Sequence, residues 1–104
     1  MPDDLPTYLW VDAKIRELSD SSKPVYVLNK GNKTGGLVLA KVSNLDGDCK
    51  VYTQQRDLEG QLGWFEQDMA EGEADQYIRQ ELEFDTDLWV LEIEDREMKN
   101  PFID

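Results

Sequence analysis

Five carboxylates bracket one short apolar run: Asp85 and Asp87 precede it, and Glu92, Glu94 and Asp95 close it. Glu92 and Glu94 are two residues apart, so on a strand they project from one face about 7 Å apart. Oxygen donors so placed suit a hard cation such as Mg²⁺. With Lys41 or Lys50 beside them they would form the centre of a carboxylate-dependent hydrolase or nuclease-like enzyme. Glu92, Glu94 and Asp95 are therefore the candidate metal ligands. The competing reading is structural: carboxylates at the end of a strand commonly form a solvated edge.

Other chemistries are excluded by residue type. The chain has no histidine, so no imidazole can activate a serine or cysteine nucleophile, and the usual zinc and non-haem iron donor sets are missing. Cys49 is the one cysteine; it cannot form an intrachain disulfide and fits a reducing, cytoplasmic compartment. Flanked by Asp48 and Lys50, it reads as a small buried strand residue. Asn44-Leu45-Asp46-Gly47-Asp48 fails as an EF-hand loop because its glycine comes two positions early and Gln55 stands where a bidentate Glu is needed. Asp48-Cys49-Lys50 has the acid-x-Lys form of some metal-dependent nucleases, but Asp12 to Lys14 and Glu97 to Lys99 repeat that form, and no partner acid stands on a preceding strand. Gly31, Gly35 and Gly36 lack the Gly-Lys-Ser/Thr ending of a phosphate loop and read as turn glycines. No cofactor is expected.

The elements that must position these residues follow from periodicity. A helix is predicted over 5–19, with Thr7 as N-cap and Tyr8, Val11, Ile15 and Leu18 on one face; Pro24 forbids its continuation. Short strands are predicted at 25–28, 37–42 and 49–54, separated by Gly- and Asn-rich turns, of which Asp46-Gly47 is the strongest. A weaker fourth strand is predicted at 62–66, with Gly63 as a bulge. Ala74, Tyr77, Ile78 and Leu82 return to helical spacing, with Glu71, Glu73 and Asp75 at the favourable N-terminal end. The last strand, 88–94, begins apolar on both faces and belongs inside the sheet. The expected fold is α+β in the order α-β-β-β-β-α-β: a mainly antiparallel sheet, its first four strands a meander, with both helices on one face. The 104 residues make one domain, with loose ends at 1–6 and 97–104, apart from Phe102 and Ile103, which can dock.

Charge is distributed unevenly. The chain carries a net charge of −12, yet residues 23–56 hold six basic and two acidic groups, and residues 57–104 hold three basic and sixteen acidic. A polyanion would be repelled by most of this surface, so nucleic acid is not an expected partner. No run approaches the ~20 apolar residues of a membrane span, and the acidic N-terminus lacks a signal-peptide core. If two helices cover one face, the other is left open with Tyr26, Leu28, Lys41, Lys50 and Tyr52 as interaction candidates. The leading expectation is a non-enzymatic interaction module that binds a protein partner or a second copy through that face.

Three blocks carry a family resemblance: Gly36-Leu37-Val38-Leu39-Ala40-Lys41-Val42 with Leu45-Asp46-Gly47; Glu73-Ala74-Asp75-Gln76-Tyr77-Ile78; and Phe84 to Arg96, which reads Phe-Asp-Thr-Asp-Leu-Trp-Val-Leu-Glu-Ile-Glu-Asp-Arg. Together with Leu9-Trp10-Val11 they resemble domain-of-unknown-function family 1491 across roughly residues 8–97. The resemblance implies a small bacterial cytoplasmic protein and brings no assigned activity, cofactor or catalytic residue. Within the third block, Asp85 and Asp87 can hold the helix-to-strand turn through backbone amides, Trp89 and Leu91 can enter the core, and the acids beyond can pair with Arg96 or a lysine of the preceding strands.

Overall fold

Residues 38–43 alternate two apolar sets, Val38, Ala40 and Val42 against Leu39 with Lys41 and Ser43, and all six are buried. A strand buried on both sides needs cover on both, and this requirement shapes the fold. The computed structural model of the chain describes residues 6–103. It contains α1 (Thr7–Asp20), β1 (Val25–Asn29), β2 (Val38–Ser43), β3 (Asp48–Arg56), β4 (Leu62–Ala70), α2 (Glu71–Phe84) and β5 (Trp89–Glu94). The strands form a single sheet in the order β1-β5-β2-β3-β4. All neighbours are antiparallel except β2 and β5, which run parallel. The α+β class and the order of elements are those expected, and β5 is interior.

Two parts of the expected arrangement are corrected. The first four strands are not a meander: β5 inserts between β1 and β2, so only β2-β3-β4 run consecutively. The helices do not share a face. Val11 and Leu18 of α1 pack on Val38, Ala40, Val42, Tyr52, Trp89, Leu91 and Ile93. Ala74 and Ile78 of α2 pack on the opposite face, against Leu39, Cys49, Val51, Leu88 and Val90. Two apolar faces on the inner strands draw one helix each. The connection from β4 to β5 joins strands of the same direction, so α2 has to cross over β3 and β2 on its way; α1, entering at the β1 edge, takes the other side.

Local chemistry explains the boundaries. Thr7 is the first residue of α1 and not its cap; Pro6 holds that position without a side-chain bond. Proline needs no amide partner there, and its fixed φ suits the start of a helix. β4 extends to Ala70 and meets α2 without a loop, and its pairing with β3 runs unbroken from Arg56↔Leu62 to Asp48↔Ala70, so Gly63 is not a bulge. The irregularity lies in β1, between Val27 and Asn29. Gly31 and Gly36 do more than turn the chain. The β1–β2 connection crosses the start of β5, and a Cβ on Gly31 would lie 2.2 Å from the Asp87 carbonyl oxygen, one on Gly36 2.4 Å from the same atom. Trp89 Nε1 fastens this crossing by donating to the Asn32 carbonyl at 2.8 Å.

The segment after β5 lies on the α1 face. Phe102 stacks on Trp64 at 5.4 Å and tilts against Trp10 at 4.6 Å, and the Tyr52 hydroxyl donates to the Met98 carbonyl at 2.6 Å. Phe102 therefore docks, whereas Ile103 stays exposed. Of the ends expected to be loose, residues 1–5 and 104 lie outside the described residues.

Candidate functional site

Lys41 is the most unusual side chain in the core. Its side chain is 2% exposed, and its ammonium lies 2.7 Å from Glu92 Oε1, 2.8 Å from Asp75 Oδ1 and 3.4 Å from Glu71 Oε1. Register places Lys41 opposite Glu92 on the α2 side of the sheet, and the i, i+4 spacing puts Glu71 and Asp75 on one face of α2 above them. Burial pulls the lysine's pKa down, but the hydrogen bonds and charges of Asp75 and Glu92 outweigh it, and the group is held well above its ordinary value. Lys41 is therefore a fixed cation at neutral pH, unsuited to act as a base or an amine nucleophile. It binds α2 to β2 and β5.

The metal candidates go to different places. Glu92 is committed to Lys41. Glu94 follows it on the same face, opposite Ser43. Asp95 turns away: its carboxylate pairs with Lys23 at 3.3 Å and accepts the backbone N–H groups of Glu97 at 3.0 Å and Lys99 at 3.4 Å. Burial alone would raise the Asp95 pKa; the amide bonds and Lys23 hold it below the usual carboxylate range. Among the described residues, no three carboxylate or cysteine side chains are grouped as a metal site. Asp85 plays its turn role, its Oδ1 accepting the Asp87 amide at 3.0 Å.

The five interaction candidates do not line one open face. Lys41 is under α2, and Tyr52 is buried on the α1 side. Lys50 is on that same α1 side, paired with Glu66 at 3.5 Å and reaching Asp68 at 4.0 Å. Tyr26 and Leu28 are half-exposed on β1, the edge strand beside β5. With a helix on each side, the uncovered face expected from the sequence does not exist. Cys49 is buried, and burial together with the acids around Lys41 pushes its thiol pKa up, Lys41 opposing.

The surface that α2 leaves bare is a strip over β4. There, Gln67 and Met69 of β4 face Glu73, Gln76, Tyr77 and Gln80 of α2 across an open cleft of about 630 Å³, with Asp68 at its rim. The helical residues are spaced i, i+3, i+4, i+7, one stripe along α2. Phe65, half-exposed, continues the β4 side by alternation. Glu73 Oε1 accepts the Ala70 amide at 3.3 Å and secures the junction of strand and helix. Among the described residues no strand pairs with the outer side of β4, so the cleft runs beside a free strand edge. The sequence carried one signal of it, the alternation Phe65, Gln67, Met69, which the glutamine and aspartate there obscured.

A family profile described as "Protein of unknown function (DUF1491)" matches residues 5–103. The crystal structure of a DUF1491 family protein from Caulobacter crescentus CB15 is similar to the chain with a TM-score of 0.81 and 30% sequence identity, covering 95% of this chain and 94% of that one. An NMR structure of a DUF1491 family protein from the same organism gives a TM-score of 0.82 at 30% identity, over 93% and 91% of the two chains. The solution structure of a protein from A. tumefaciens, 24% identical with a TM-score of 0.72 over 88% of this chain and 86% of that one, shares the fold. No functionally curated protein matches.

Proposed function

The chain belongs to the DUF1491 family, and we propose that it is a non-enzymatic module that binds another protein along the α2–β4 side of its sheet. The observation that carries this reading is the cleft of about 630 Å³ between α2 and β4 beside an unpaired strand edge. Its lining mixes amide, thioether and phenol groups. Such groups adapt to a polypeptide surface. Of the carboxylates that suggested a Mg²⁺ enzyme, Glu92 is engaged with Lys41 and Asp95 with Lys23, which favours a structural role for these two. The buried, unpaired thiol of Cys49 suits a reducing cytoplasm.

The test is site-specific photo-crosslinking in living cells. A photoreactive residue at Gln76, in the cleft, is compared with one at Ser19, exposed on α1. The expected result is a discrete heterologous adduct from Gln76 alone, lost when Phe65→Asp is added. Equal labelling from both positions, or an adduct only with itself, would reject the reading.

A further inference from the structure

Resting on the module reading above, we propose that the occupant of the α2–β4 cleft is an extended, cationic segment of another protein, which adds to β4 as a sixth strand.

The two ends of the sheet differ in what they offer a strand. β1 is five residues long and its register breaks between Val27 and Asn29. A short strand with a bulge is a common way to blunt an edge. β4 is nine residues long, pairs with β3 without a register shift, and has no neighbour on its other side among the described residues. In an antiparallel edge, alternate residues turn both N–H and C=O outward, so roughly half of β4 offers unpaired backbone groups. The cleft lies on that border. An added strand would pair its backbone with β4 and send every second side chain toward Met69, Tyr77 and the amides of Gln76 and Gln80.

Charge selects the occupant. Asp68 on the edge is 80% exposed, Glu66 is 53% exposed, and Glu73 stands across the cleft. Lys50 pairs with Glu66 and reaches Asp68, and the three acids with this lysine remain net negative. A second copy, itself carrying −12 and presenting the same acidic edge, would be repelled. A segment alternating Lys or Arg with apolar residues would be attracted.

The full chain is panned with a phage-displayed random decapeptide library at low salt, and an enriched peptide is titrated into isotope-labelled protein. The expected result is enrichment of alternating basic and apolar sequences, amide shifts confined to 62–70 and 73–80, and affinity falling with salt. Asp68→Lys with Glu73→Gln should weaken binding about three- to tenfold, and Asp12→Lys on α1 should leave it unchanged. Far-UV circular dichroism of each variant verifies that it folds. Acidic or proline-rich enrichment, shifts on β1 or α1, indifference to Asp68→Lys, or no enrichment would overturn the proposal. If crosslinking from Gln76 still captures a protein in that case, the module reading survives and only the chemistry of the partner falls; if neither succeeds, both fall.

Discussion

Replacing Lys41 by methionine keeps most of the aliphatic stem and removes the ammonium. Each of its two shortest ion pairs, 2.7 and 2.8 Å, is worth about 6 kcal/mol of attraction at an effective dielectric constant near 20. Against this stands a desolvation cost of several kcal/mol for a side chain only 2% exposed. Glu71 and Asp75 are about half exposed, so once released they regain water at little cost. Glu92, 25% exposed, is left poorly hydrated and unpaired. The expected loss is about 1–3 kcal/mol, below the roughly 3–5 kcal/mol of a fully buried pair broken from one side, and it should lower the melting midpoint by about 5–20 °C. Adding Glu92→Gln should recover more than half of it, because the stranded charge is gone. The folded pKa of Lys41 is raised above its unfolded value of 10.5, so its stabilisation is fully present below that pH and fades above it. The gap between wild type and Lys41→Met should therefore be flat from about pH 6 to about pH 9 and narrow beyond about pH 10.5. Urea unfolding followed by tryptophan fluorescence measures all of this. If Lys41→Met equals or exceeds wild type in stability at pH 7, or if Glu92→Gln deepens the loss, the reasoning is refuted.

Gly31→Ala should destabilise by about 1–3 kcal/mol through overpacking against the Asp87 backbone, and Gly35→Ala, with open space around it, should stay within about 0.5 kcal/mol; thermal melts decide. Tyr52→Phe removes the bond to the Met98 carbonyl and should cost about 1 kcal/mol. Burial, then Glu66, pushes the Tyr52 hydroxyl up to about 12, so its share of stability is whole below about pH 10 and declines above it, which ultraviolet titration of tyrosinate can follow. The Cys49 thiol, buried and raised in pKa, should react with an aromatic disulfide reagent only as fast as the chain opens; prompt labelling of the native protein would contradict its placement.

Element types and their order were legible because each rests on local periodicity: Val11, Ile15 and Leu18 at helical spacing, Leu88 to Leu91 apolar on both faces. Sheet order and helix placement were not, because they depend on long-range pairing. The double-sided apolar character of 38–42 and 88–91 was visible, and it implied cover on both faces, yet two helices on one side is the simpler packing of a lean core. Lys41 was legible as a charge but not as a buried one. Its partners come from β5 and from α2, some thirty to fifty positions further along, and only parallel pairing of β2 with β5 and the crossover of α2 bring them together.

Six acids of the C-terminal half form two groups with different roles. Glu71, Asp75 and Glu92 point at one buried lysine and fasten α2 over the inner strands; there the carboxylates are structural. Glu66, Asp68 and Glu73 surround the β4 edge, with Lys50 pairing Glu66 and reaching Asp68. A nine-residue edge without charge would invite pairing between copies, and these acids oppose it for an identical chain while favouring a cationic strand. On the proposed reading, the same carboxylates oppose pairing between copies and set the charge of the segment that joins β4. Neutralising Asp68 alone should raise the tendency to self-associate, read by sedimentation velocity, and lower the affinity for basic peptides in the same variant. If the two effects do not appear together, the edge is not the binding surface.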